Sequence, residues 1–124
     1  MALIFVIDGN DAFRTMLAKS IGQKIPHQRV IGANSSISML DNIRLCGGVS
    51  GIDLVIIGGE LASHETWRNA VRELTSLGYN RPIIGCTGDV DRESEMTAVL
   101  GQDNVFPKPL PPEFWTRLRE HISK

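Results

Sequence analysis

The sequence has few residues of the types that build disulfide or zinc sites. Only two cysteines occur among the 124 residues, Cys46 and Cys86, and they form no CxxC pattern. Two reduced thiols are therefore a better interpretation than a disulfide. The three histidines, His27, His64 and His121, share no short spacing, which disfavours a zinc site. We predict a chain without a bound metal or other cofactor.

Long apolar runs and clusters of one charge are also missing. No run approaches the ~20 residues that a membrane helix needs. The apolar start MALIFVID has no basic region before it and reaches Asp8 too soon for a signal peptide. The formal charge is -1, and Lys and Arg are scattered, so no surface for nucleic acid or anionic lipid is indicated. We predict a cytoplasmic chain that contacts neither nucleic acid nor a membrane.

The composition is that of an ordinary globular protein. Hydrophobic residues make up 42% and charged residues 22% of the chain, which is typical of a soluble domain. A length of 124 residues is sufficient for one hydrophobic core. Neither an internal repeat nor a low-complexity linker is visible, so we predict a single domain over residues 1–124.

Short apolar runs alternate with segments of helical periodicity along the whole chain. Such runs predict strands that are buried on both faces, and they cover residues 3–7, 29–33, 53–57, 82–86 and 104–106. The five intervening and following segments predict helices, the fourth of them over residues 91–100. Five strands that alternate with five helices predict a doubly wound α/β sheet, with the functional crevice at the carboxyl ends of the strands.

Local signals predict where the helices begin, end and become buried. Asn10 or Asp11 caps the first helix, Ser35 or Ser36 caps the second, Gly78 ends the third, and Pro111-Pro112 open the last. The predicted buried stripes are Phe13, Met16, Leu17 and Ile21; Ile37, Leu40 and Ile43; Trp67, Val71 and Leu74; and Trp115, Leu118 and Ile122.

Four segments at the predicted strand ends carry a family resemblance. They read VIDGNDAFR (6–14), DLVIIGG (53–59), RPIIGCTG (81–88) and VFPKPL (105–110). Their order and spacing resemble the receiver domain of two-component response regulators and hybrid histidine kinases, over essentially the whole chain. The last two segments are most similar to receivers of hybrid kinases. The resemblance implies a flavodoxin-like fold of five parallel strands in the order 2-1-3-4-5 with five helices.

The resemblance also implies a site. Receivers bind Mg²⁺ through two adjacent acidic residues after the first strand and an aspartate at the end of the third, which is also the phosphoacceptor. A hydroxyl residue after the fourth strand and a lysine after the fifth contact the phosphoryl oxygens. Asp8, Thr87 and Lys108 match three of these positions, and Lys108-Pro109 is implied to be a cis peptide. From the residues alone, Asp8 could equally cap its loop and Thr87 could satisfy a turn.

Two positions depart from the family pattern. The second acidic position is Gly9 and the phosphoacceptor position is Gly58. No acyl phosphate can form without a carboxylate nucleophile, and Asp8 alone makes a poor Mg²⁺ site. With one carboxylate facing one lysine, we predict an Asp8–Lys108 ion pair and no stabilisation by divalent metal. We also expect Gly9→Asp combined with Gly58→Asp to produce some metal binding.

The leading functional hypothesis is a pseudo-receiver, which binds a protein partner and is not an enzyme. The partner would be a histidine kinase, a phosphotransfer domain or another domain of a parent chain such as a hybrid kinase. The predicted interaction face comprises the fourth helix, the fifth strand and the last helix. Its candidate residues are Val105, Phe114 and Trp115, of which an exposed aromatic would be a binding anchor. Burial of both aromatics in the core is the competing interpretation.

A second hypothesis is the sensing of a small anion or nucleotide. Backbone N–H groups of Gly58 and Gly59, the hydroxyl of Thr87 and the ammonium group of Lys108 are the groups that would bind it. Stabilisation by phosphate, sulfate or nucleotides would distinguish this function from partner binding.

Overall fold

A computed structural model describes residues 1–122, in which strands and helices alternate from the first strand to the last helix. The five strands are β1 (Leu3–Ile7), β2 (Arg29–Ala33), β3 (Leu54–Gly58), β4 (Ile83–Thr87) and β5 (Val105–Pro107). The five α-helices are α1 (Asp11–Lys24), α2 (Ser36–Leu45), α3 (Trp67–Ser76), α4 (Val90–Leu100) and α5 (Pro112–Ile122). Short 3₁₀ turns lie at Ala62–His64 and Gln102–Asn104.

The strands form one parallel sheet in the order β2-β1-β3-β4-β5. This confirms the predicted flavodoxin-like architecture. Ile7 pairs with Ala33 on one side and Ile57 on the other, and Gly58 pairs with Cys86. The carboxyl ends of the central strands therefore lie side by side, which brings the loops that follow them to one edge of the sheet.

Three strands begin and end one residue later than predicted. The structure has β3, β4 and β5 at Leu54–Gly58, Ile83–Thr87 and Val105–Pro107, against 53–57, 82–86 and 104–106. Pro82 has no N–H to donate to a ladder, which explains the late start of β4. At the other end Gly58 still pairs with Cys86, so β3 continues to the first glycine.

The side chains of the sheet alternate between two apolar layers. Phe5 and Ile7 point to the layer covered by α2, α3 and α4, whereas Ile4 and Val6 point to the layer covered by α1 and α5. All four are essentially inaccessible to solvent. Burial on both faces explains why the strands read as continuous apolar runs and show no alternation.

The helix caps follow the sequence signals, but the buried stripes follow them only in part. Asn10 accepts a hydrogen bond from the N–H of Phe13, and Ser35 accepts one from Ser38. Met16 and Ile37 are exposed, contrary to the prediction. Helical spacing fits more than one stripe in a short helix, and contact with the sheet selects the face; α2 buries Met39 in addition to the predicted Ile43.

No helix within residues 1–122 is both long enough and apolar enough to cross a membrane.

Candidate functional site

The centre of the site is a buried ion pair that links the first strand to the last. Asp8 follows β1 and is almost inaccessible, and its Oδ2 lies 2.7 Å from Nζ of Lys108, which follows β5. The Asp8 Oδ1 accepts a hydrogen bond of 2.8 Å from the N–H of Asn10. Both carboxylate oxygens are therefore engaged. The geometry contains the predicted Asp8–Lys108 contact, and the Lys108-Pro109 peptide is cis, as the resemblance implied.

Two neighbouring side chains complete the surroundings of this pair. The Lys108 ammonium lies 3.8 Å from the centroid of the Phe13 ring, a cation–π contact that shields it from water. Arg14 donates a hydrogen bond of 2.6 Å to the carbonyl oxygen of Asp8 and also pairs with Asp11. Sequence periodicity assigned Phe13 to the core only; its position over Lys108 depends on how α1 packs on the sheet.

Gly58 lies directly against Asp8. A methyl group added at Gly58 would be 2.5 Å from Cγ of Asp8 and closer still to Oδ2. Real Cβ atoms do not approach other heavy atoms this closely, so any side chain at position 58 requires Asp8 to move. The carboxylate of Asp8, which follows β1, occupies the space that a side chain at position 58 of β3 would need.

Gly9 lies equally close to backbone. A methyl group there would be 2.7 Å from the carbonyl carbon of Leu61 and 2.9 Å from the nitrogen of Ala62. The N–H of Gly9 donates to the carbonyl oxygen of Glu60 over 3.1 Å. The loop after β3 therefore packs onto Gly9 without space for a side chain. Replacing Gly9 and Gly58 with aspartate therefore requires both the loop and Asp8 to move, and the metal binding predicted for this double variant depends on that movement.

The loop over Gly9 is anchored at both ends. Ala62 donates from its N–H to the carbonyl oxygen of Asn34 over 2.8 Å, and Leu61 donates to the carbonyl of Glu65 over 2.8 Å. The Glu65 carboxylate accepts a hydrogen bond of 2.8 Å from the N–H of Ser36 at the start of α2. The loop is thus fixed to β2 and α2 as well as to Gly9.

The pKa of Glu65 reflects these contacts. Partial burial alone would raise the pKa, but hydrogen bonds from Ser36 and Asn69 outweigh it, so the pKa lies below the ordinary value. Both partners bond to the ionised carboxylate. The anchor is therefore strongest when Glu65 is charged.

Thr87 ends β4 beside the ion pair and is almost fully buried. Its Oγ1 accepts a hydrogen bond of 3.1 Å from the N–H of Asp89, which is the turn-satisfying role that the sequence left open. The same hydroxyl leaves no space for a side chain at Gly59, because a methyl group there would lie 2.8 Å from Thr87 Oγ1. Beneath it, burial raises the pKa of the Cys86 thiol, so this thiol stays protonated.

A second ion pair borders the opening of the pocket. Arg92 of α4 donates to Oε2 of Glu60 over 3.1 Å, and His64 lies 3.5 Å from the other carboxylate oxygen. Ser63 and His64 both have positive φ values, 59° and 61°, which is uncommon for residues other than glycine. Sequence reasoning missed Arg92 and Glu60, because no local pattern shows that two distant charges will meet.

The resulting pocket has a volume of about 530 Å³. It contains two cationic side chains, and each is already paired with a carboxylate. A third carboxylate, that of Asp89, caps α4. The charged side chains that line the pocket are three carboxylates and two cations. They belong to Asp8, Glu60, Asp89, Arg92 and Lys108. Within residues 1–122, no group of three or more potential metal ligands is close enough to hold an ion.

Two of the three residues predicted for the interaction face cannot belong to one. Val105 and Phe114 are buried, so neither can touch a partner. Trp115 is half-buried and turns towards α1, where Nζ of Lys24 lies 5.3 Å from its ring centroid. Val105 and Phe114 are buried because β5 is covered on both faces and the apolar side of α5 is centred on Phe114.

The fold is that of receiver domains. The chain matches a signal receiver domain of a DNA-binding response regulator (merR) from Colwellia psychrerythraea 34H, with a TM-score of 0.78, 19% identity and 100% coverage of both chains. It matches the non-phosphorylated HemR receiver domain from Leptospira biflexa with a TM-score of 0.79 and 20% identity, covering 100% of this chain and 96% of that one.

The same fold also occurs as part of a longer protein. The chain matches the anti-anti-sigma factor PhyR from Bartonella quintana with a TM-score of 0.71 and 15% identity, covering 98% of this chain but 47% of that one. No protein-family model and no curated protein matches the sequence. At these identities the similarity establishes the receiver fold of two-component signalling proteins.

Proposed function

We propose that this chain is a pseudo-receiver: a protein-interaction module of two-component phosphorelay signalling that works without being phosphorylated. The observation that carries the proposal is the close contact between Gly58, which has no side chain, and the carboxylate of Asp8. Position 58 has no carboxylate, and the carboxylate nearest to it, that of Asp8, is held by Lys108 and Asn10. The proposed partner is a histidine kinase, a phosphotransfer domain or another domain of a longer parent chain, such as a hybrid histidine kinase.

Phosphoryl transfer from phosphohistidine requires an unhindered carboxylate oxygen in line with the phosphorus. Asp8 does not meet this requirement, because its side chain is only 3% exposed and both of its oxygens are engaged. A magnesium ion would need several oxygen ligands in near-octahedral positions, and Lys108 already neutralises Asp8. These features support a binding module that catalyses no phosphoryl transfer, and a cytoplasmic location is part of the same proposal.

The partner surface that we propose is the outward side of α4. Val99 is exposed there, and Glu95, one helical turn earlier on the same side, pairs with Arg68 of α3 over 3.6 Å. This surface replaces the buried residues Val105 and Phe114 as the candidate contact region.

Amide NMR with beryllofluoride and Mg²⁺ tests the absence of phosphorylation. We expect no clustered shifts at Asp8, Thr87 and Lys108, because no carboxylate is free to bind the beryllium. Titration with the cytoplasmic part of a candidate histidine kinase, with and without a small phosphodonor, then tests the function. The same affinity under both conditions is expected, and Val99→Asp should weaken it at least tenfold. Phosphodonor-dependent affinity would contradict the proposal.

Sensing of a small anion is the second candidate, and the pocket beside Thr87 favours it by size. Its volume of about 530 Å³ exceeds what one phosphate needs, and Lys108 and Arg92 line it. Against this, each cation is paired with a carboxylate, so an anion would have to displace Asp8 or Glu60. Thermal shift assays with phosphate, sulfate and nucleotides distinguish the two functions. A rise in melting temperature that saturates with concentration would favour anion sensing.

A further inference from the structure

We propose that Gly58 and Asp8 are a coupled pair, in which the absence of a side chain on β3 is what allows the carboxylate of β1 to reach Lys108 on the far side of the sheet. The inference concerns the isolated chain and does not depend on the proposed function. Gly58 then has a role in positioning Asp8, in addition to leaving position 58 without a phosphoacceptor carboxylate.

The geometry of β3 supports this role directly. β1 and β5 are not neighbours in the sheet; β3 and β4 lie between them. The contact between Asp8 and Lys108 therefore has to pass over the ends of these two strands. At Gly58 it passes so closely that a methyl group would be 3.2 Å from Cβ of Asp8 and 2.5 Å from its Cγ.

The backbone conformation at Gly58 does not by itself require glycine. Its φ is not in the left-handed region, unlike that of Gly47, Gly48, Gly78 and Gly101. An alanine could adopt this strand conformation, so the nearest obstacle is the Asp8 side chain. This separates Gly58 from glycines that a turn requires, and it makes the dependence on Asp8 testable.

The contact between Gly58 and Asp8 connects three loops at the carboxyl edge of the sheet. Asp8 joins the loop after β1 to the loop after β5 through Lys108, while Gly58 leads into the loop that packs on Gly9. The carboxyl edge of the sheet is thereby held in one arrangement by side chains of the chain itself. The arrangement of these loops is therefore fixed, and it depends on Gly58.

A set of variants in three backgrounds tests the coupling by thermal unfolding. In the wild-type background, Gly58→Ala should lower Tm by about 5 °C or more, as expected for overpacking. The loss should persist with Asp8→Asn, which keeps the size but removes the charge. It should fall to less than half with Asp8→Ala, which removes the two nearest obstructing atoms, Oδ2 and Cγ. Gly88→Ala is the matched control, because its nearest neighbour, Lys108 Cβ, is 4.0 Å away.

A second readout keeps the test decisive if an Asp8 variant does not fold. The N–H of Asn10 donates to Asp8 Oδ1, so displacement of the carboxylate must shift the Asn10 amide resonance. Gly58→Ala should move this resonance, and Gly88→Ala should leave it in place. An equal loss of Tm in all three backgrounds, or an unchanged Asn10 resonance in Gly58→Ala, would overturn the proposal.

Discussion

The two edges of the sheet each have an aspartate paired with a basic side chain, and the two pairs differ mainly in burial. At the carboxyl edge, Asp8 and Lys108 are 2.7 Å apart, with side chains 3% and 25% exposed. At the amino edge, Asp53 and Arg81 are 2.6 Å apart, with side chains 37% and 47% exposed. The distances are nearly equal, so distance alone does not show which pair matters.

Burial determines what the loss of each pair costs. An exposed pair competes with water and is typically worth about 0–1 kcal/mol. A buried charge that loses its partner has no water to replace it, which costs roughly 3–5 kcal/mol when burial is complete. The carboxyl edge should therefore be sensitive to substitution and the amino edge tolerant, although both pairs have similar geometry.

The largest effect is expected from adding a carboxylate to the buried edge. Gly58→Asp would collide with Asp8 and place two carboxylates against one lysine, so the free energy of unfolding should fall by about 3 kcal/mol or more. Adding Asp8→Ala to Gly58→Asp should recover more than half of this loss, because one carboxylate again faces Lys108. Urea denaturation of the wild type and of both variants measures these changes. If the double variant is less stable than Gly58→Asp, the steric conflict is not the cause.

Next in size is the removal of the buried cation. Lys108→Met should lower the free energy of unfolding by about 2–3 kcal/mol, below the fully buried limit because water reaches Lys108 in part. The apolar stem is retained, so the loss reports on the unpaired Asp8. Chemical denaturation at pH 7 measures it. A loss below about 0.5 kcal/mol would place this pair in the same class as exposed pairs.

The loop anchor should give an intermediate effect that depends on pH. Glu65→Gln keeps the shape but loses the charge-assisted bonds to Ser36 and Asn69, so we expect a loss of up to about 1 kcal/mol at pH 7. Because the pKa of Glu65 is lowered from 4.5, this stability is complete above the unfolded pKa and disappears as pH falls through the folded one. Denaturation of both proteins from pH 7 to pH 3 should show the difference vanishing in acid. A difference that grows in acid would contradict the assignment.

The amino edge should give a small effect. Arg81→Met removes the partner of Asp53 in the same way that Lys108→Met removes that of Asp8, and it is the matched control. A loss of about 0.5 kcal/mol is expected, because both side chains remain accessible to water. Asp53 also keeps its hydrogen bond of 2.8 Å from the N–H of Leu3. A loss equal to that of Lys108→Met would remove burial as the explanation.

The smallest effect is expected from divalent metal. Mg²⁺ at millimolar concentration should change Tm by less than about 1 °C, since a ligand stabilises only when it exceeds its dissociation constant. Lys108 already occupies the place of a counter-ion to Asp8. Differential scanning fluorimetry measures this, with Ca²⁺ as a second ion. A clear Mg²⁺-specific rise would show that the site retains metal binding.

Sequence reasoning was accurate where local physics decides and weaker where packing decides. The caps Asn10 and Ser35 were foreseen because a side-chain oxygen needs only the next turn of backbone. Val105 and Phe114 were misjudged as surface residues, since which side of α5 meets the sheet depends on contacts with other elements. The prediction of one domain over residues 1–124 reaches two residues beyond the part described.

By itself, the sequence determined the order of strands and helices and the chemistry that position 58 lacks. Those properties depend on apolar periodicity and on residue identity, which need no coordinates. Only the tertiary structure showed that Asp8 fills the space beside Gly58, and that the loop at Leu61 covers Gly9. These contacts join residues that are far apart in the chain, so their distances are set by how the strands align and not by any local pattern.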